Sequence, residues 1–102
     1  MTRGEIWLAE VGRKRRPVLV LTRPDVIDVR LLVTVAEITT SLRGIGAEVL
    51  LDHRLLGLKS ESAVNCDGLH TLSQALLTHR VGQLDATTMH QVCSALKHAL
   101  GC

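Results

Sequence analysis

The feature that most constrains the fold is a change in the spacing of apolar residues. Up to Leu84 they form short runs rich in Val, Leu and Ile, separated by glycine, proline and polar residues, which is typical of β-strands. From Met89 to Leu100 they recur every three or four positions, which gives a helix one apolar face. Short strands followed by one helix predict an α+β protein with a curled antiparallel sheet or small barrel.

The element boundaries follow from the turn residues that interrupt these runs. Strands are predicted at Glu5–Val11, Pro17–Thr22, Leu31–Ile38, Glu48–Asp52, Ser62–Asp67 and Arg80–Leu84. Pro17 would open its strand, where proline is tolerated, and Arg23–Asp25 would form a turn. Leu69–Leu72 extends the pairing of the fifth strand, and Ser73–Leu77 suits one helical turn.

The C-terminal segment predicts a helix over 86–100, with Asp85 as its N-cap and Gly101 as its stop. We expect its apolar stripe, which includes Leu100, to pack on the sheet; binding a partner is the alternative. The 102 residues fit one domain, spanning 1–102.

Several classes of protein are disfavoured by composition. No apolar run is long enough for a membrane helix, and no apolar signal core follows the first residues, so we expect a cytoplasmic protein with no membrane partner. Cys66, Cys93 and Cys102 are odd in number and widely spaced, which predicts reduced thiols. His90 and Cys93 are too few for a zinc site, so no metal or cofactor is expected.

The net charge is only +2, but the basic residues are unevenly distributed, because Arg13–Arg16 are four consecutive basic residues. Such a cluster suits a polyanion such as RNA, although a solvated turn is the better interpretation of the run alone. Trp7 is the only aromatic residue, which excludes binding of single strands by a row of stacked aromatic side chains.

The order of several motifs resembles the MazF/PemK toxins over about residues 3–101. The matching segments are Arg3–Trp7, Arg16–Val20, Val35–Thr40, Ser62–Asp67, Gly82–Leu84 and Leu100–Gly101. The resemblance implies an SH3-like, partly open antiparallel β-barrel with a C-terminal helix. It also implies a homodimer that cleaves single-stranded RNA in a shared groove, and a cognate antitoxin whose tail occupies that groove.

The same resemblance implies site residues. Arg16 and Thr39 match the catalytic arginine and threonine of the family. Arg23, Thr40 and Arg43 lie where loops would contact RNA. Independently of the resemblance, the basic residues Arg13, Lys14 and Arg15 and the carboxylate of Asp67 are further RNA-binding candidates. The short basic segment before Arg16 replaces a longer family loop, so the preferred RNA sequence does not transfer.

The implied chemistry needs no metal: the ribose 2′-hydroxyl attacks the adjacent phosphorus and leaves a 2′,3′-cyclic phosphate and a 5′-hydroxyl. Arg16 suits stabilisation of the phosphorane charge, and Thr39 can donate to a phosphate oxygen. His53, His70 and His79 fall in or near predicted loops, and nothing in their spacing singles one out as an acid or base.

Two residues near the predicted fifth strand have competing interpretations. Asn65 and Asp67 can read base edges, but both residue types also favour turns before a glycine. For Asn65 we favour the turn, and for Asp67 we weigh the turn and the contact with a base edge equally. For the whole chain, two alternatives to the nuclease stay open: a gyrase-inhibiting toxin on the same scaffold, and a weakened toxin that binds RNA without cutting it.

Overall fold

The computed structural model describes residues Met1–Cys102 as one antiparallel sheet followed by a C-terminal helix. The elements in chain order are β1 (Glu5–Val11), β2 (Lys14–Val20), α1 (Pro24–Ile27), β3 (Leu32–Thr39), β4 (Glu48–Leu51), β5 (Ser62–Ser73), a 3-10 turn (Gln74–Leu76), β6 (Leu77–Gln83) and α2 (Ala86–Leu100). The sheet order is β4-β5-β3-β2-β1-β6, with every pair antiparallel. The predicted fold class is confirmed.

The main correction concerns the start of β2, which begins at Lys14 rather than at Pro17. A tight turn at Gly12 and Arg13 joins β1 to β2, and Gly12 adopts a φ of 62°, in the left-handed region that favours glycine. Pro17 therefore lies inside the strand, opposite Leu8 of β1. The pairing of β2 with β3 starts only at Val18, so the missing N–H of Pro17 interrupts no pair on that side.

Three smaller differences also have local causes. The segment after Arg23 forms the one-turn helix α1, with Pro24 in its first turn, where a missing N–H costs nothing. β6 begins at Leu77, ahead of the predicted Arg80, because the residues between these two positions already pair with β1. The predicted extension of the fifth strand over Leu69–Leu72 is confirmed, since β5 is one strand with a bulge. The helical turn predicted before β6 is a short 3-10 turn.

Two apolar clusters lie on the two faces of the sheet, since successive residues of a strand point to opposite faces. The first cluster contains twelve buried residues, among them Leu19 and Val64, and includes Val92 and Ala95 from α2. The second contains seven, among them Val18 and Val20, and includes Ile27 of α1. Helix α2 therefore covers only the first face.

Helix α2 has the predicted bounds and caps. Asp85 accepts a hydrogen bond from the backbone N–H of Thr88, which lowers the pKa of the Asp85 carboxyl, and Gly101 ends the helix in the left-handed conformation. The stripe packs on β4 and β5 as predicted, except that Leu100 is 62% exposed. No helix in the structure has the length and apolar character needed to cross a membrane.

A polar group borders the second cluster where β1 meets β6. The buried Glu5 accepts hydrogen bonds from Arg80 and from the indole N–H of Trp7, whose ring packs against the second cluster. Burial raises the pKa of the Glu5 carboxyl, but these bonds and one from the backbone of Thr2 outweigh it and lower the pKa overall.

Candidate active site

Arg16 and Thr39 lie at the same end of neighbouring strands. The β2–β3 register pairs Val18 with Glu37, and Arg16 and Thr39 each lie two residues beyond that pair, where β2 and β3 no longer pair with each other. Residues two apart on a strand share a face, so both side chains belong to the face of the second cluster, which α2 does not cover. Arg16 is exposed and Thr39 is half-buried, so both are accessible from this face.

The sheet opens where these two residues lie. The pairing between β2 and β3 ends at Val18 and Glu37, although both strands continue. Beyond that point β2 pairs only with β1, while β3 pairs only with β5 up to Thr39. We call this region the open end: residues 14–17 of β2 and 38–39 of β3. Its position gives an extended substrate access to both side chains.

The basic run is divided between the two faces. Arg15 pairs with Glu10 on β1 at 2.9 Å, on the α2 side of the sheet. Lys14 alternates with it and therefore shares the face of Arg16. Arg13 lies in the turn. The structure thus brings Lys14 and Arg16 together and separates Arg15 from them.

The hydroxyl of Thr39 is held at the end of β3. Its oxygen accepts a hydrogen bond from the backbone N–H of Ser41 at 3.0 Å, which leaves the hydroxyl proton free to be donated. Thr40 is exposed in the bend that follows. A donor fixed by a backbone bond suits contact with a phosphate oxygen.

Two of the arginines predicted to contact RNA form ion pairs with carboxylates. The side chain of Arg43 pairs with Glu48 at 3.4 Å, and the backbone N–H groups of Arg43 and Gly44 both donate to that carboxylate. These bonds, the one from the Arg43 backbone foremost, lower the pKa of Glu48 despite its burial. Arg23 pairs with Asp25 beyond the other end of β2, so it does not lie with Arg16.

A bulge in β5 shapes the same face beside β3. Ala36 pairs with Leu69 and Glu37 with Asn65, so residues 66–68 have no partner on β3. The side chain of Asn65 accepts from the backbone N–H of Asp67 at 3.1 Å, which is the turn chemistry expected for it. Asp67 is exposed. Bulges of this kind often re-aim side chains beside active sites.

Glu37 and His70 form a pair that sequence reasoning missed. The Nε2 atom of His70 lies 2.9 Å from Oε1 of Glu37 across the bulge. Glu37 is two positions before Thr39 on the same strand, so the two share a face. A Cβ on Gly68 would overlap the second carboxylate oxygen and lie 3.0 Å from Nδ2 of Asn65, so only glycine leaves Glu37 this place. The 33-residue separation of the pair left no local signal.

The cysteines lie apart from this face. The pKa of the Cys66 thiol is raised to about 11, mainly by burial. Cys93 accepts a hydrogen bond from Arg3 at 3.0 Å, and Cys102 is exposed beyond α2. No three His, Cys, Asp or Glu side chains come together in an arrangement that could hold a metal ion.

Comparison with known proteins identifies the family. Residues 2–100 match the model of the PemK-like, MazF-like toxins of type II toxin–antitoxin systems. The chain belongs to the MazF/PemK toxin family. An open antiparallel sheet with one terminal helix does not by itself identify a family, whereas this sequence match does.

Similar proteins agree in sequence and in structure. The probable endoribonuclease MazF5 of Mycobacterium tuberculosis is 40% identical, over 98% of this chain and 93% of its own length. The M. tuberculosis toxin MazF-mt6 is 37% identical, with a TM-score of 0.89 over 95% of this chain and 96% of its own. A mycobacterial endoribonuclease solved with its cognate antitoxin is 25% identical, with a TM-score of 0.89 over 99% of this chain and 95% of its own. This MazF/PemK chain is an endoribonuclease toxin of a type II system.

Proposed function

We propose that this toxin cleaves single-stranded RNA at selected sequences, without a metal ion, at the open end of the β2–β3 pair. The observation that carries the proposal is that Arg16 and Thr39 lie just beyond the Val18–Glu37 pair on neighbouring strands, on the same accessible face. A permanently charged guanidinium and a fixed hydroxyl donor on the same face of neighbouring strands suit contact with the non-bridging oxygens of a phosphate.

The reaction follows from these roles. The 2′-hydroxyl attacks the adjacent phosphorus, the bond to the 5′-oxygen breaks, and a 2′,3′-cyclic phosphate and a 5′-hydroxyl remain. Arg16 stabilises the charge that develops on the phosphorane, and Thr39 donates to a phosphate oxygen. Preorganised donors of this kind contribute about 10²–10³-fold in rate.

The RNA strand would extend along the same face from this point. We propose Lys14 and the turn residue Arg13 as contacts to the phosphate backbone on one side, with Thr40, Arg43 and Asp67 on the other. Arg15, on the opposite face, and Arg23, beyond the far end of β2, are left out of this surface. Trp7 is the only aromatic residue, so charge and hydrogen bonds would dominate the affinity.

The partners follow from the same relationship. We propose that the toxin acts in the cytoplasm as a homodimer and that a cognate antitoxin blocks the RNA groove. The related mycobacterial endoribonuclease solved with its cognate antitoxin supports this part of the proposal. One continuous sheet and a family match over residues 2–100 support treating 1–102 as one toxin domain.

The test is cleavage of a long single-stranded RNA in EDTA by wild type, Arg16→Ala and Arg15→Ala, with the ends mapped by primer extension. We expect discrete cuts with wild type and Arg15→Ala, and loss of cutting with Arg16→Ala. Arg15 is a matched control because it carries the same charge at the adjacent position but points to the opposite face of the sheet. The end groups are read by testing whether the 5′ ends accept phosphate from a kinase directly.

Equal cutting by Arg16→Ala and Arg15→Ala would refute the assigned site. Absence of cutting by folded wild type across varied RNAs would refute the nuclease proposal, and a gyrase supercoiling assay would follow.

A further inference from the structure

One carboxylate on the face of the second cluster is buried and takes no part in the chemistry proposed above. Glu48 opens β4, and its side chain is only 4% exposed. The next residue, Val49, belongs to the first cluster, so Glu48 points to the opposite face. It lies opposite Asn65, which in turn lies opposite Glu37. A buried carboxylate is costly unless it is hydrogen-bonded and paired, so its partners indicate what it does.

The partners of this carboxylate all belong to the β3–β4 loop, residues 40–47. Its Oε1 accepts hydrogen bonds from the backbone N–H groups of Arg43 and Gly44, each at 2.9 Å, and its Oε2 lies 3.4 Å from Nε of Arg43. The beginning of the loop is tied by Ser41, whose N–H donates to the hydroxyl of Thr39 at 3.0 Å. The loop that leaves the candidate active site is therefore held at two points by side chains of the sheet.

The same contact directs the side chain of Arg43. Glu48 engages only its Nε, and neither Nη group has a partner within the chain, on a side chain that is 55% exposed. A guanidinium held in this way keeps its outer edge free, and that edge can bind a phosphate as a fork. Because the side chain is already ordered, binding costs less rotamer entropy than it would for an unpaired arginine.

The position of this arginine suits a phosphate next to the one that reacts. Thr39 lies opposite Ala63 on β5, and Glu48 lies opposite Asn65 on the far side of the same strand. Two strand spacings and two residues therefore separate Thr39 from Glu48, which is about 12 Å between Cα atoms. A phosphate bound at Thr39 is thus distinct from one bound at the loop, and an extended RNA strand can present both.

We propose that Arg43 binds a phosphate flanking the cut site and that Glu48 is the positioning residue that orients it; this rests on the function proposed above. No bond is made or broken by the pair, which acts on RNA binding rather than on the chemical step. The sign of the effect is diagnostic. Removing a negative charge from an RNA-binding face should strengthen binding by electrostatics alone, whereas loss of a positioning residue should weaken it.

The experiment measures the Kd of a short RNA that contains one mapped cut site, with 2′-deoxyribose at that site so that the RNA binds without being cut. Fluorescence anisotropy of the labelled RNA is followed from about 0.05 to 0.3 M salt. At about 0.15 M salt, Arg43→Gln should raise Kd roughly three- to tenfold. It should also reduce the slope of log Kd against log salt by about 0.7, the value for one phosphate contact on a single strand.

Glu48→Gln should raise Kd in the same direction, although it removes a negative charge. The double variant Arg43→Gln/Glu48→Gln should bind like Arg43→Gln alone, because Glu48 acts through Arg43. With saturating all-ribose RNA, kcat should change by less than about twofold in each variant. The control is Glu10→Gln, which breaks the other exposed glutamate–arginine pair, on the α2 side of the sheet, and should leave Kd and the salt slope unchanged.

Unchanged or tighter binding by Glu48→Gln, or unchanged binding by Arg43→Gln, would overturn the inference. So would a double variant that binds more weakly than Arg43→Gln, because Glu48 would then act independently. If these variants bind as wild type while Arg16→Ala has lost the cutting that wild type shows, the proposed function survives and only this inference fails. If wild type cuts no RNA, both fail.

A second variant decides the matter if Glu48→Gln does not fold, as judged by urea denaturation. Arg43→Lys keeps the charge, but the lysine ammonium would pair directly with Glu48 and lacks the second edge of a guanidinium. We therefore expect Arg43→Lys to bind RNA as weakly as Arg43→Gln. Wild-type affinity in Arg43→Lys would contradict an oriented guanidinium and would overturn the inference.

Discussion

On one face of the sheet, α2 covers a cluster of twelve buried residues; on the other, seven buried residues share the surface with Arg16, Glu37, Thr39 and His70. The first face is apolar and covered by α2, and it contributes to the stability of the fold. The second is apolar only towards α1 and polar towards the open end. Successive residues of β2 and β3 point to opposite faces, so neighbours in the sequence contribute to the core on one face and to the proposed site on the other.

The largest expected effect is the loss of a buried side chain from the helix-covered face. Leu19 is fully buried in the first cluster, so Leu19→Ala should reduce the free energy of unfolding by about 3 kcal/mol through lost burial and the cavity left behind. Urea denaturation measures this. Leu50→Ala is the matched control, because Leu50 is 70% exposed and should change stability by less than about 0.5 kcal/mol. Equal losses at both positions would contradict the division of faces.

The next effect separates activity from stability on the open face. Thr39→Ala should lower kcat for RNA cleavage about a hundredfold, or roughly 2.7 kcal/mol in the activation free energy, while unfolding changes by less than about 1 kcal/mol. Steady-state cleavage and urea denaturation together test this. Thr71→Ala, an exposed threonine on the other face of β5, should leave kcat unchanged. A stability loss large enough to explain the lost activity would make Thr39 a structural residue.

A smaller effect concerns the polar border of the second cluster. Glu5→Gln should cost about 1–2 kcal/mol at pH 7, because the Arg80 bond loses its charge. The folded-state pKa of Glu5 is lowered, so its contribution is present above the ordinary glutamate pKa of about 4.3 and is lost as the pH falls through the folded value. The difference between wild type and variant should therefore shrink below about pH 4. The exposed pair of Glu10 with Arg15 provides the control, and Glu10→Gln should change stability by less than about 1 kcal/mol.

The amino-acid sequence alone predicts more of the helix-covered face than of the open face, and the reason is physical. Helix α2 was predicted to the residue, because its period and caps are local signals. The start of β2 was not, since a basic run resembles a turn, and only the hairpin shows that Lys14 already pairs with Val11. The pairing of Glu37 with His70 depends on a bulge, and nothing local encodes it.

The Arg16 and Thr39 assignments had a different source. Their residue types are unremarkable on a strand, and the family resemblance alone singled them out. The structure adds that the two lie on the same face of neighbouring strands, just beyond the last β2–β3 pair, and that Arg15 belongs to the other face. Residue pattern therefore predicted the scaffold, whereas the combination of residues at the site required the three-dimensional pairing.

The smallest expected effect leaves stability and activity unchanged and reports only chemical reactivity. Cys66 is buried under α2 with a pKa of about 11, whereas Cys102 is exposed. At pH 7.5, iodoacetamide should modify Cys102 at least about a hundredfold faster than Cys66, because the thiolate is the nucleophile. Mass spectrometry of peptides after timed quenching measures the ratio. Comparable rates in the folded protein would show that α2 leaves its side of the sheet frequently.

The hydrogen bond between Trp7 and Glu5 has a spectroscopic consequence. The chain has one tryptophan, no tyrosine and no phenylalanine, so its near-ultraviolet absorption and intrinsic emission arise almost wholly from a single indole. That indole lies in the same cross-strand row as Val18 and Glu37, on the face proposed to bind RNA. The wild-type protein therefore carries a fluorescent reporter of that face, and its emission can follow occupancy of the groove without any added label.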